Sequence, residues 1–194
     1  IKRIQAAAVD FDVIGTGVTI SGPIDVRKGA VSPLNIPTWR DFPLAERVAE
    51  LTGVRTTIDT EAKGLVHAEH WTGSARGAEN FLAVYAGSTV SAGMMSNGRV
   101  IDGNFGNAGS IGHLVVEPGG RECRCRGKGC LEAYVSARAV ESETGHPPAH
   151  ASQALKERNA LHLGRAVASA LALVDVPLVL IGGSIVGAWG EPFV

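Results

Sequence analysis

The chain has 194 residues, with 18 Lys plus Arg against 19 Asp plus Glu, for a formal net charge of −1. That balance excludes electrostatically driven binding to nucleic acid or to a membrane surface through this segment alone. At 45% hydrophobic residues it has the composition of a packed globular protein, with length for one large domain or two small lobes.

In chain order, Val13 to Ser21 is rich in β-branched residues and closes on Ser21-Gly22-Pro23, so it reads as a buried strand ended by a turn. A loop carrying Asn35, Pro37 and Trp39 follows. Pro43 to Leu51 has Pro at a helix start, helical apolar spacing and Gly53 beyond its end. Arg55 to Ile58 reads as a short strand and Glu61 to Trp71 as a second helix. Three strands are expected next, Phe81 to Ala86, Thr89 to Met95 and Arg99 to Ile101, with Asn97-Gly98 as a tight hairpin turn. Gly103 to Gly112 spends four glycines and two asparagines in ten residues, then leads into an expected strand, Ile111 to Val116. Leu131 to Glu141 reads as helical, Glu143 to Ser152 as a breaker-rich connection, and Leu155 to Val174 as a long amphipathic helix. A strand, Leu178 to Ile181, and the turn Gly182-Gly183-Ser184 complete an α/β pattern without internal repeats.

The run Ala166 to Val174 stops at Asp175 after nine residues, about half of the ~20 that a bilayer-spanning helix needs. With no signal peptide visible, the cytoplasm is the expected compartment and no membrane partner is expected. A start at Ile1 and an end at Val194, directly after a strand-like run, lead us to expect further sequence on both sides.

All three cysteines fall within eight residues, Cys123, Cys125 and Cys130, among glycines that let the backbone fold around a metal. Zinc suits such a thiolate set, and a structural site wants a fourth N or S ligand. His113 is the best-placed candidate, and Arg124, Arg126 and Lys128 would offset thiolate charge. The competing readings are a disulfide plus a free thiol, three unrelated buried cysteines, or a three-coordinate site completed by water.

The order of motifs resembles the ROK family of repressors, open reading frames and sugar kinases. The resemblance rests on Ser21-Gly22-Pro23-Ile24-Asp25, on Ser32 to Trp39, on Asn107 to His113, and on Cys123 to Tyr134 with its Gly129-Cys130-Leu131-Glu132-Ala133 end. It implies an actin-like (ribonuclease H-like), two-lobed ATPase fold, with mixed lobe elements over about 13–104 and a zinc-containing lobe over about 105–194. It further implies that His113 both ligates structural zinc and faces a sugar, and that Asn35 and Glu132 bond sugar hydroxyls. A homodimer is implied as well.

The same resemblance exposes departures from a kinase. Phosphoryl transfer depends almost wholly on positioning and electrostatics. The family's base position aligns with Glu61 in Asp59-Thr60-Glu61-Ala62, where an extra methylene displaces the carboxylate; about 1 Å of misplacement can cost about a hundredfold in rate. Thr60 stands where an amide would hold the sugar. The phosphate hairpin, glycine-rich in the family, reads Gly87-Ser88-Thr89-Val90-Ser91-Ala92-Gly93 here, and the adenosine-side turn is Gly182-Gly183-Ser184. The family's N-terminal Asp-Gly-Gly-Thr loop has no counterpart, and Ser110 replaces an acid before the Gly-His pair. Complete zinc ligands beside eroded loops for ATP and Mg²⁺ favour the effector region of a NagC/XylR-type repressor that senses a sugar. DNA contact would then belong to a winged helix-turn-helix outside this chain. The alternative is a divergent ATP-dependent hexose or amino-hexose kinase using Glu61 as base.

Other polar features have plainer readings. His67 and His70 beside Glu69 read as a helix face and His146 and His150 as loop residues, while Met94-Met95 reads as core. Gly103 to Gly109 reads as either a mobile lid or a turn required by close packing.

Overall fold

In the computed structural model, residues 12–190 are described. Ile1 and Val194 lie outside them. The described residues form two compact units, 12–61 with 102–107, and 62–101 with 108–190. This interleaving differs from the consecutive division expected near residue 104. Its cause is strand pairing, for Leu82, before that point, stands opposite Val179 in a parallel pair.

In the first unit, β1 (Thr16–Ile20) pairs in parallel with β4 (Thr56–Thr60), Ile20 opposite Thr60. The short strands β2 (Ile24–Asp25) and β3 (Ala30–Val31) form an antiparallel ribbon. Helix α1 (Leu44–Thr52) starts one residue after Pro43, which is its N-cap, and ends on Gly53 at φ 74°. Ile24, Val31, Leu44 and Ile58 make this unit's core, with Trp39 stacked on Phe42 at 4.4 Å. The glycine-rich stretch docks here through Asn107, whose side chain donates to the Ile24 carbonyl and accepts from the Ile24 N–H, at 2.7 and 2.8 Å. Gly106, at φ 94°, would place a Cβ 2.6 Å from Val26, so its glycine answers to close packing.

Helix α2 (Glu61–Trp71) follows β4 without an intervening loop, as the sequence pattern indicates. In the second unit, β5 (Phe81–Ala86), β6 (Val90–Ser96), β7 (Arg99–Val100) and β8 (Val179–Gly182) form a sheet of order β7-β6-β5-β8, with only β5 and β8 parallel. Asn97 and Gly98 both take positive φ, 50° and 70°, which is what a two-residue hairpin turn between twisted strands requires. Met95 is buried beneath the sheet, in agreement with its reading as core.

Two expectations fail locally. Ile111 to Val116 is not a strand: Ile111–His113 is a 3-10 turn, and Val115 makes one isolated bridge to Cys130. Gly109 and Gly112 press so closely on β6 that no strand-like side chain could stand there; a Cβ would fall 1.8 Å from the Ala92 oxygen and 2.1 Å from the Val90 oxygen. Leu131 to Glu141 is not one helix but two, α3 (Glu132–Val135) and α4 (Ala137–Thr144). Ser136 divides them because its backbone is extended and its hydroxyl caps α4 through the Ala139 N–H.

The long helix α5 (Gln153–Leu171) is capped by Ser152 and buries Leu155, Leu163, Ala166 and Ala170 against the sheet. Helix α6 (Ser184–Trp189) follows β8, and the Trp189 indole donates to the Pro148 carbonyl at 2.6 Å. No helix among the described residues is long and apolar enough to cross a membrane.

A charged network ties α4 to α5 and to the loop before the cysteines. Glu143 accepts from Arg158 at 2.7 and 2.8 Å and from Arg121 at 2.9 Å. Hydrogen bonds from Arg158, then Arg121, hold its carboxyl far below the ordinary carboxylate range, at about 2. A depressed native pKa adds stability that is complete above the unfolded value, 4.5, and lost as pH falls toward about 2. Glu143→Gln is therefore expected to flatten the stability profile between those pH values. Because both arginines are about one-third exposed, the loss at neutral pH should be only about 1 kcal/mol, measurable by urea unfolding.

Candidate functional site

The cysteine loop is built by backbone geometry. Val116 and Leu131 donate to the Gly129 and Leu114 carbonyls at 2.9 Å, which brings the two ends of the loop together. The Cys123 N–H donates to Gly127 and the Arg126 N–H to Cys123, both at 2.8 Å, forming a tight turn with Arg126 at φ 71°. Gly129, at φ 76°, would set a Cβ 1.8 Å from the Glu117 oxygen, so no other residue fits there.

That frame brings His113, Cys123, Cys125 and Cys130 together, with one donor atom from each within 4.8 Å of all the others. Cys123 Sγ lies 3.7 Å from His113 Nδ1, and Cys125 Sγ lies 3.6 Å from Cys130 Sγ. A tetrahedron with Zn–S bonds of ~2.3 Å has edges of about 3.8 Å, so these separations suit zinc. They also fit no disulfide, and all three cysteines are free.

Burial and the closeness of the three sulfurs shift the thiols unequally. Burial, reinforced by hydrogen bonding to Cys125, pushes the Cys130 thiol up to about 12, and burial also raises Cys123. Burial would raise Cys125 too, yet the Gly127 N–H and hydrogen bonds with the neighbouring thiols bring it below its ordinary value. Three thiolates at this spacing need a cation among them, and a bound metal would supply it. His67 and His70 join no such group: their rings pack on Trp71 and Phe81 instead.

The other expected residues distribute over the two units. In the first, Asn35 sits in the loop of the fully buried Pro33, and its Oδ1 is buried without a hydrogen-bond partner among the described residues. Thr60 is buried at the end of β4, and Glu61 begins α2, where the helix dipole favours a carboxylate. Ser21, at the adjacent end of β1, donates its hydroxyl to Glu61 Oε1 at 3.4 Å. The sequence reading passed over Asp59, whose Oδ1 accepts the Thr60 N–H at 2.7 Å and which lines a cavity of about 470 Å³. Its signal was available, a second carboxylate two residues before Glu61 at the same carboxyl end of a parallel pair.

In the second unit, Ser110 precedes the 3-10 turn that carries His113. Glu132 does not point to solvent from its helix: Oε2 accepts the Val90 N–H at 3.2 Å, and it would lie 3.3 Å from a Cβ at Gly112. In the hairpin Gly87-Ser88-Thr89, the Gly87 N–H donates to Thr89 and the Gly87 carbonyl accepts from Ala137, at 2.9 and 2.8 Å. With the Val90 N–H on Glu132, the N–H groups of Gly87 and Val90 are thus engaged within the protein. Gly182 ends β8, and Gly183, at φ 111°, packs so closely that a Cβ would fall 2.4 Å from the Ala86 oxygen.

The ROK family profile matches residues 2–190. A glucokinase of Thermotoga maritima is 35% identical over 144 residues, which cover 72% of this chain and 45% of that enzyme. The DNA-binding transcriptional dual regulator NagC of Escherichia coli K12 is 32% identical over 130 residues, covering 67% of this chain and 32% of the regulator. Among solved structures, the ROK hexokinase of Thermus thermophilus superposes with a TM-score of 0.75 at 32% identity, over 97% of this chain and 70% of that one. The fold is the expected actin-like α/β fold of these proteins. The chain spans less than half the length of either curated relative.

Proposed function

This chain belongs to the ROK family, and from that premise we propose that it is the sugar-sensing effector region of a transcriptional regulator that has lost kinase activity. The observation that carries this reading is the hairpin of Gly87, Ser88 and Thr89. Phosphate cradles work through free backbone N–H groups. Here the Gly87 N–H bonds Thr89 and the Val90 N–H bonds Glu132, with side chains on Thr89 and Val90 besides. Likeness to NagC supports the regulator, and the complete Cys and His set supports structural zinc.

The sugar would be held by hydroxyl-bonding groups. Asn35 Oδ1, a buried acceptor without a partner among the described residues, is suited to a ligand's hydroxyl donor. Thr60, Glu61, Ser110 and Glu132 offer further acceptors. His113 directs Nδ1 at the thiols, which leaves Nε2 for a ligand, so zinc would fix the ring that bonds the sugar. Zinc acts here by holding the loop, not by chemistry on the sugar. Sugar binding would pass to DNA through a helix-turn-helix elsewhere in the protein, because a ligand moves a regulator only by its different affinity for two states. A homodimer fits this role, and sedimentation of the full-length protein tests it.

The kinase reading is favoured by one arrangement, two carboxylates, Asp59 and Glu61, at one strand end with Ser21 on Glu61. Calorimetry on full-length, zinc-loaded protein against hexoses and amino-hexoses separates the readings. Sugar binding without ATP binding is the expected result. Sugar-dependent ADP release that is lost in Asp59→Asn or Glu61→Gln would establish the kinase, and no binding to any sugar would sink the sensor.

A further inference from the structure

The three cysteines of the cluster meet solvent differently. Cys130 is 2% exposed and Cys123 9%, whereas Cys125 is exposed. Cys125 Sγ lies 3.6 Å from Cys130 Sγ, while Cys123 Sγ faces His113 Nδ1 at 3.7 Å. One exposed cysteine thus touches one buried cysteine. Gly127 has no side chain to cover that pair, and a Cβ there would stand 3.3 and 3.5 Å from the two sulfurs. Around Cys125 the chain is basic and exposed, at Arg124, Arg126 and Lys128.

Reactive cysteines sit partly exposed in electropositive surroundings, and buried structural ones are inert. Cys125 therefore has the setting of an attacking sulfur, and Cys130 that of the partner which resolves it. To bond, the two sulfurs close from 3.6 Å to ~2.05 Å, on a loop with no helix or strand of its own beyond isolated bridges. Cys123 is less free to pair with Cys125. Its N–H donates to Gly127 and its carbonyl accepts from Arg126, both at 2.8 Å, which fixes the backbone of the tight turn that contains both residues.

We propose that Cys125 and Cys130 form a reversible disulfide switch, set by a hydroperoxide, that takes the metal site apart. The Cys125 sulfur attacks hydrogen peroxide: an S–O bond forms, the O–O bond breaks, and hydroxide leaves as water with the first thiol proton. The Cys130 sulfur then attacks the sulfenic sulfur: the S–S bond forms, the S–O bond breaks, and a second water leaves with the second thiol proton. Two thiols give up two electrons, and the peroxide takes them. Zinc is held by thiolates, so one disulfide removes two of the four donors and leaves only His113 and Cys123. Control of sugar binding, through loss of the metal that would fix the His113 ring, rests on the sensing reading above; the disulfide does not.

The test treats full-length, zinc-loaded protein with hydrogen peroxide and follows zinc with a chromogenic chelator, thiols by alkylation and linkage by mass spectrometry. Trypsin separates the three cysteines, because Arg124, Arg126 and Lys128 lie between them, so each possible pair yields its own linked peptide. About one equivalent of zinc should leave for each disulfide formed, and that disulfide should join Cys125 to Cys130. A dithiol with added zinc should restore thiols and metal together. Zinc and thiols retained at about a hundredfold excess of peroxide, a bridge that includes Cys123, or sulfinic acid without a disulfide would overturn the switch. Calorimetry with hexoses and amino-hexoses should show affinity falling at least about tenfold on oxidation. An unchanged affinity would overturn the control of sugar binding. No sugar binding by the reduced protein would overturn the sensing reading and leave the disulfide result standing.

Discussion

Cys125→Ser is expected to lower bound zinc from about one equivalent per chain to a small fraction of that, and to lower stability with it. The four donor atoms lie within 4.8 Å of one another, with the cysteines on a loop without helix or strand of its own beyond isolated bridges, Glu122 to Lys128 and Cys130 to Val115. Free energy of structural zinc binding is folding free energy, because the unfolded chain has no assembled site. Removing one ligand of four weakens the hold on the metal, and without it Cys123 and Cys130, both raised by burial, are neutral thiols that no longer tie the loop together. A loss of about 3–5 kcal/mol is expected, the part of the metal's binding free energy that three ligands no longer supply, and for a domain of this size it corresponds to roughly 6–20 °C in melting temperature. Zinc analysis with calorimetric melting of wild type and variant checks this. Unchanged stability in a fully metal-free protein would show that the cluster is not a metal site.

Gly109→Ala is expected to be among the most damaging changes of a single methyl group. At φ 87° the residue already occupies a region that alanine resists, and the new Cβ would stand 1.8 Å from the Ala92 oxygen. That oxygen belongs to β6, and the Gly109 carbonyl accepts the Ala92 N–H at 2.7 Å, so neither side can move without parting the pair. About 3–5 kcal/mol is expected from combined strain and clash, by denaturant unfolding. The informative contrast is Gly98→Ala, at φ 70° but facing open space, which should cost only about 1 kcal/mol. If the two variants were equally stable, close approach would not be the reason for glycine at 109.

Both variants mark where reading from sequence was strong and where it stopped. The glycine-rich stretch was open between a lid and a tight turn. At Gly106 and Gly109 the distances decide for close packing, which no spacing rule could have revealed because the contacts are with residues 26 and 92. Strand-like composition misled at Ile111 to Val116 for the same reason: β propensity describes a residue's fit to a pleated surface, and here the surface is already occupied by β6. Ser136, a helix-compatible residue in a helical run, acted as a cap once its neighbours offered α4 an N–H to hold.

Sequence by itself determined the α/β class, the positions of α2 and β5, the tight hairpin turn at Asn97-Gly98, and the cluster of His113 and three cysteines that could hold a metal. These are local properties, written in periodicity, in residues that tolerate positive φ, and in ligands close along the chain. Only the tertiary structure decided that Glu132 turns inward to the Val90 N–H and that Asn35 Oδ1 is left without a partner among the described residues. Which groups are spent and which remain for a ligand depends on partners tens of residues apart, and short-range pattern carries no record of them.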